Sequence, residues 1–335
     1  MIRIDGSIGG GSVVRVAAGL SAATGKPFRL DRVREGRSEP GLRHQHLAGL
    51  RAAAELVDAE LEGDELGSQE VVFRPGEGFS SKVRVDIPTA GSVGLALQPL
   101  MIASASLDRE VEVTVDGGAT AGKWAPPVHY LEHVKLPLLE RRGLASSLEV
   151  RRHGFYPEGG ALVKASLGPS EMERMEFLEQ GKVSRVEGVS VASTHLREAE
   201  VAERQREEAR RVLKDSHPSL ELDIDTRYVE TTSPGSVISL HASTDRTVVG
   251  SDALGEKGKP SEEVGSEAAQ DMTEILDSGS PLDVHMSDQV VPLLGLAGGE
   301  VMVHEFTDHV GTCVEVTRKF VEKEYGREGR RIGFS

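Results

Sequence analysis

The residues able to do chemistry lie at opposite ends of the chain. Near the C-terminus, TDHVGTCVEV (307–316) sets His309 just ahead of what reads as a helix, with Thr312 and the lone Cys313 behind it. A neutral imidazole is nucleophilic without a strong base; the plainer reading of His309 is a histidine hydrogen-bonded at a helix start. Near the N-terminus, Arg15, Arg34, Arg37 and Arg43 fall close together, with Gln45 and His46 following in RHQHL. Guanidinium groups hold phosphate oxygens in planar, bidentate fashion, which Lys does not. Arg34 and Arg37 flank Gly36 in a turn that Pro40-Gly41 ends, so both can project on one side of a loop. Gly9, Gly10 and Gly11, after IRID, can aim backbone N–H groups at a helix start, a cradle for phosphate.

Three segments with one pattern must position these groups: strand, Gly/Ser-rich turn, apolar helix, strand. They are MIRIDGSIGGGSVVRVAAGLSAATGKPFRL, KVRVDIPTAGSVGLALQPLMIASASLDREVEVTV and PLDVHMSDQVVPLLGLAGGEVMVHEF. A small residue or Asp at each turn precedes a helix with Val, Leu and Ala on one face, and the closing strand alternates apolar with polar residues. Repetition on this scale indicates a domain of related α/β units rather than a short-period solenoid. From about 184 to 275 the chain turns charge-rich. REAEVAERQREEARRVLKD reads as a surface helix, flanked by strands VSRVEGVSVAST, LELDIDTRYVE, SVISLHAST and RTVVGSDALG, with GEKGKPSEEVGSE as a polar boundary. The expected division is therefore a large domain over 1–183 and 276–335, and a small inserted α/β domain over 184–275.

Composition narrows the function classes. The 335 residues suffice for two domains, and 38 Gly against 8 Phe, 4 Tyr and 1 Trp favour a mixed α/β chain with tight turns. One cysteine excludes an intramolecular disulfide framework and fits a reducing compartment. The opening MIRIDGSIGG is polar by its fifth residue, unlike a signal peptide, and no run approaches a membrane span of roughly 20 apolar residues. A cytoplasmic protein without a membrane partner is expected. The net charge of −15, with only 11 Lys beside 28 Arg, excludes indiscriminate nucleic-acid binding. Any polyanion must be met by the local arginine cluster.

Six motifs in order carry a resemblance: REGRSEPGLRHQHL (34–47), LGSQEVVFRPG (66–76), TAGSVGLALQ (89–98), RRHGFYPEGG (151–160), SDQVVPLLGLAGG (287–299) and TDHVGTCVEV. Together they resemble the RNA 3′-terminal phosphate cyclase family along the whole chain. The resemblance implies an α+β fold of three repeated units, each a four-stranded sheet with two helices, and a small α/β domain inserted before the third. It implies an ATP-dependent ligase-class enzyme that converts an RNA 3′-phosphate to a 2′,3′-cyclic phosphodiester, releasing AMP and pyrophosphate. The route would run through a covalent histidine–AMP and an adenylated RNA end. Adenylation supplies the leaving group that a 3′-phosphate lacks, and the adjacent 2′-OH then closes a five-membered ring.

By the same resemblance the nucleophile is His309. Arg15, Arg34, Arg37, Gln45 and His46 would bind RNA or phosphate. Gln98, Pro127, Tyr130, His285, Asp288 and Gln289 would line the ATP site, with Pro126 beside them and His285 standing where relatives stack an aromatic on the base. Trp124 offers either a stacking face or a half-buried packing role. His153, Tyr156 and His304 are read as structural, and Cys313 as apolar filler. One departure stands out. Relatives read GEGGGQ where this chain has GGGS, two residues shorter and without the Glu expected to help hold a divalent ion, Mg or Mn. The ligands of that metal are thus unassigned, with Asp5 an alternative carboxylate. The competing functional class is a non-catalytic cyclase-like RNA-processing factor. Nothing in the sequence fixes an oligomeric state.

Overall fold

A computed structural model describes residues 1–335. The first unit runs β1 (Ile2–Asp5), α1 (Gly11–Thr24), β2 (Phe28–Asp31), α2 (His44–Leu56), β3 (Glu60–Glu62) and β4 (Val71–Arg74). The second runs β5 (Lys82–Ser92), α3 (Val93–Ala103), β6 (Val111–Ala119), a helical segment, β7 (Ser146–Arg152) and β8 (Leu162–Leu167). That segment joins α4 (Val128–Tyr130), a π turn (Leu131–Lys135) and α5 (Leu136–Glu140) without a break. Local sequence explains the elements. In β5 the order Lys82-Val83-Arg84-Val85-Asp86-Ile87 alternates exposed and buried, as a sheet packed on one face requires. Helix α1 ends where Gly25 takes φ 67°, a left-handed cap that favours glycine.

The chain then enters β9 (Met175–Phe177) and leaves it for an excursion: β10 (Arg185–Ser193), α6 (Val201–Ser216), β11 (Glu221–Val229), β12 (Ser236–Ser243), β13 (Val248–Leu254) and α7 (Ser261–Ser278). It returns through α8 (Val284–Gln289), α9 (Val291–Ala297), β14 (Gly299–Met302), α10 (Asp308–Phe320), β15 (Tyr325–Glu328) and β16 (Arg331–Phe334). Three four-stranded sheets share one topology: β1-β2-β4-β3, β5-β6-β8-β7 and β9-β14-β16-β15. In each, the first pair is parallel and the rest antiparallel. The repeated-unit reading of this α+β chain is borne out. The excursion's sheet differs, with order β11-β10-β12-β13.

Two details depart from expectation. The excursion interrupts the third unit rather than preceding it. The parallel strand of that unit is β9, which pairs Met175 with Gly299, whereas PLDVHMSDQ, expected to open the unit as a strand, forms α8. Asp283 explains the difference, because its carboxylate accepts from Met286 N at 2.8 Å and starts a helix there. GEKGKPSEEVGSE, expected as a polar boundary, instead starts α7, which packs on α6 and continues to Ser278, past the expected edge at 275. Its Gly265 lies so near α6 that an added Cβ would be 2.1 Å from the Gln205 carbonyl oxygen.

Packing follows the sheets. One core of 63 buried residues draws on all three units, so they stand or fall together. The excursion closes over a separate core of 15 residues, and Ala121, Phe155, Val189, Val191 and Val237 join the two.

Candidate functional site

Helix α1 presents its N-terminus at Gly10-Gly11 with no side chain capping it, so its first backbone N–H groups are available to a ligand. The glycines are needed because side chains crowd over them. A Cβ on Gly10 would lie 3.3 Å from Arg37 Nη2, and one on Gly11 only 2.1 Å from His46 Nε2. His46 is buried at the start of α2, and its Nδ1 accepts from Arg43 N at 3.1 Å, which fixes a proton on Nε2 above the glycine turn. Burial, with Arg15, Arg34 and Arg43 nearby, pushes His46 down to about 3. It is a neutral donor at neutral pH.

One turn into α1, Arg15 is buried, and its Nε donates to Gln98 Oε1 of α3 at 2.7 Å. Burial lowers Arg15 to about 10 against the pull of Asp288 and Cys313, so it keeps its charge. Arg34 has φ 54° and donates from Nη1 to the carbonyls of Glu39 at 3.0 Å and Gly41 at 2.8 Å, bracing the arginine loop. Arg43 is tied in an ion pair to Glu39. Gln45 Oε1 accepts from Ser92 N at 3.2 Å and so links the loop to β5.

Helix α10 closes the other side. Thr307 caps it by accepting from Val310 N, and His309 stands exposed in its first turn. One turn on, Thr312 Oγ1 donates to Ile8 O at 3.2 Å, and its methyl would lie 2.7 Å from a Cβ on Gly9. The head of α10 is thus docked against the glycine turn. Cys313 is buried, and burial raises its thiol well above the usual range, so it is inert filler as expected.

Between these halves lies half-buried Asp288 of α8. Burial raises its carboxyl pKa, opposed by His309, Arg15, His285 and Lys135 around it. Lys135 was not singled out from the sequence. It is buried at the end of the π turn, donates to Gln289 Oε1 at 2.7 Å, and is lowered by burial to about 8. The available signal was one lysine inside the apolar run HVKLPLL. An inward lysine on a π turn is a feature that recurs at functional sites.

The remaining candidates sit at the start of α8 and on α4. Burial opposes charge on His285, but the hydrogen bond and charge of Asp252 at 3.1 Å, with Asp283 and Asp288, hold it up at about 9. It therefore meets a ligand as an imidazolium rather than as a neutral stacking ring. Tyr130 is fully buried, its hydroxyl on Asp283 at 2.6 Å and its ring edge-on to His285 at 5.2 Å. Pro127 is buried at the start of α4. Tyr130 supports His285 from behind, and neither Tyr130 nor Pro127 presents an open face. Trp124, at 95 % exposure and φ 62°, has no packing role. His153 meets Thr120 Oγ1 at 3.3 Å, and Tyr156 is exposed.

The carboxylates do not form a divalent-ion site here. Asp5 is taken up by Ser7 N and Arg32, Asp288 is ringed by cations, and the glycine turn carries no acid. An oxygen-donor set for Mg or Mn is not assembled. The groups that can neutralise phosphate charge are Arg15, Arg37 and Lys135.

A family model described as RNA 3′-terminal phosphate cyclase matches residues 7–326. Similar proteins named RNA 3′-terminal phosphate cyclase occur in Thermococcus kodakarensis, 43% identical over 98% of this chain and 96% of that protein, and in Methanothermobacter thermautotrophicus, 42% identical over 99% and 98%. A third, from Ignicoccus hospitalis, is 42% identical over 96% and 93%. A glycine turn, a guanidinium cluster and a C-terminal histidine thus meet in a chain that belongs to the RNA 3′-terminal phosphate cyclase family.

Proposed function

We propose that the protein is an ATP-dependent RNA 3′-terminal phosphate cyclase working through a covalent His309–AMP. The observation that carries this reading is the exposed His309 at the head of α10, docked by Thr312 onto the glycine turn and sharing Asp288 with Arg15. In the first step an imidazole nitrogen of His309 attacks the α-phosphorus of ATP, and the bond to the bridging oxygen breaks to release pyrophosphate. Backbone N–H groups at Gly10-Gly11, the His46 Nε2–H and the Arg15 and Arg37 guanidiniums receive the charge that develops on the departing oxygens. An RNA 3′-phosphate oxygen then takes AMP from His309, and the 2′-OH displaces AMP to close the ring. Arg34 shapes the loop that admits the RNA end. Charged His285 flanks the adenine through a cation–π contact.

The same reading divides the chain into a large domain, expected over 1–183 with 276–335, and an inserted domain, expected over 184–275, whose last helix α7 runs on to Ser278. The test is incubation with α-labelled ATP. A labelled, acid-labile adduct that vanishes in His309→Ala supports the proposal, and absence of any adduct across a range of divalent ions refutes it. A 3′-phosphorylated oligonucleotide ending in a 2′-deoxyribose must give no cyclic product.

A further inference from the structure

Four of the chain's 11 histidines gather away from the glycine turn, where the α4–π-turn segment meets the excursion's sheet. His129 lies on α4, Glu132 and His133 on the π turn, in the spacing H-x-x-E-H. His129 Nδ1 is 3.4 Å from Glu132 Oε2, and His133 Nε2 is 3.6 Å from the same oxygen. Donor atoms of all three residues lie within 4.8 Å of one another. A tetrahedral ion with bonds of about 2.0–2.1 Å holds its ligand atoms about 3.3 Å apart. These spacings sit near that edge, whereas 3.4 Å is the far limit of a hydrogen bond.

His129 adds a second observation. It is only 2 % exposed, and its Nε2 has no hydrogen-bond partner. Its Nδ1 has only the long contact to Glu132, so neither nitrogen of this buried imidazole is well satisfied, and a cation on Nδ1 would give that atom a close partner. The surroundings suit a cation. Glu132 and Glu187 face the cluster against one nearby guanidinium, Arg227. His153, with its ring 5.3 Å from that of His129, and His241, 5.0 Å from that of His133, are the neighbouring imidazoles.

We propose that His129, Glu132 and His133 form a binding site for a divalent transition-metal ion of the zinc class, separate from the nucleotide site. Its place in the fold gives it a role. The ring of His133 stacks at 5.0 Å on His241 of β12, so an ion held by the π turn fixes that turn against the excursion. Lys135 and Tyr130 lie on this same helical segment and reach α8 and the preceding turn, at Gln289 and Asp283. The ion would act as a structural staple between the two cores, not as a reagent.

Full-length protein stripped with a chelator and titrated with Zn²⁺ alone tests this. One ion should bind per chain, and Tm should rise with Zn²⁺ concentration. Glu132→Gln and His133→Ala, both at part-exposed positions, should melt like the wild type in chelator and bind Zn²⁺ more than tenfold more weakly. His309→Ala should bind as the wild type does. Co²⁺ bound to the wild type should give the intense visible bands of four-coordination. No stoichiometric Zn²⁺ uptake, unchanged affinity in both variants, or a weak six-coordinate Co²⁺ spectrum would each overturn the proposal, the last without reference to any variant.

Discussion

Substituting Gly11 by alanine sets two effects of opposite sign against each other. Gly11 opens α1, where alanine should gain up to about 1 kcal/mol from helix propensity and a stiffer unfolded chain. The new Cβ, however, would sit 2.1 Å from His46 Nε2, 2.8 Å from Cδ2 and 2.9 Å from Cε1. Ordinary contact needs well over 3 Å, so the ring must swing by more than ~1 Å. It is buried, and its Nδ1 holds Arg43 N at 3.1 Å, so moving it breaks the α2 cap, worth ~1 kcal/mol, and overpacks the site by ~1–3 kcal/mol. The clash wins: Gly11→Ala should be destabilised by ~1–3 kcal/mol, a Tm drop of about 2–10 °C on the scaling for larger domains. Calorimetry reads the stability, and adduct formation with labelled ATP reads the displaced Nε2–H. A variant that melts at or above the wild-type temperature with full adduct yield would refute the packing of His46 on the glycine turn.

Lys135→Met removes a buried cation and leaves Gln289 Oε1 unpaired, so the rate of adduct formation should fall about 10- to 100-fold, read by single-turnover labelling. Because burial sets Lys135 near 8, its charge fades as pH rises through that value, and the wild-type rate should decline there more than that of Lys135→Arg. His46, held near 3 when folded against ~6.5 unfolded, binds its proton more readily in the unfolded chain. Its contribution to stability is therefore intact above pH ~6.5 and lost as pH falls toward 3, and His46→Gln should show a shallower acid decline in urea melts. Trp124, the sole tryptophan and almost fully exposed, should emit as a solvated indole and be quenched by iodide in the native state as readily as in urea.

Much of this was legible because the period-2 and period-3.6 signals agree locally. In β5 and β6 the apolar positions alone dictate which face is buried, while the near-continuous apolar runs of α1 and α3 match helices buried almost all round. The opening of the third unit was not, because Met175–Phe177 is three residues long and becomes a strand only by pairing with Gly299–Val301. The start of α7 was hidden by linker-like composition, and a small residue, Gly265, proves to be what lets two helices touch. In the site, His309, Arg15 and Asp288 were named from sequence, and the structure brings them together. Lys135 was not, because an ionisable side chain amid leucines gives no sign of which way it points. Tyr130 was named for the ATP site, but its burial behind His285 depends on Asp283, distant in sequence, and could not be read from its neighbours.

The split third sheet has a consequence for biosynthesis. As the nascent chain leaves the ribosome, β9 emerges early but has no partner until Gly299–Met302 follows, after the whole excursion has been made. The excursion, with its own core, can condense meanwhile. The histidine that the proposed chemistry requires is delivered only with the final helix. Chains that stop before α10 should therefore carry the arginine loop yet lack the proposed nucleophile.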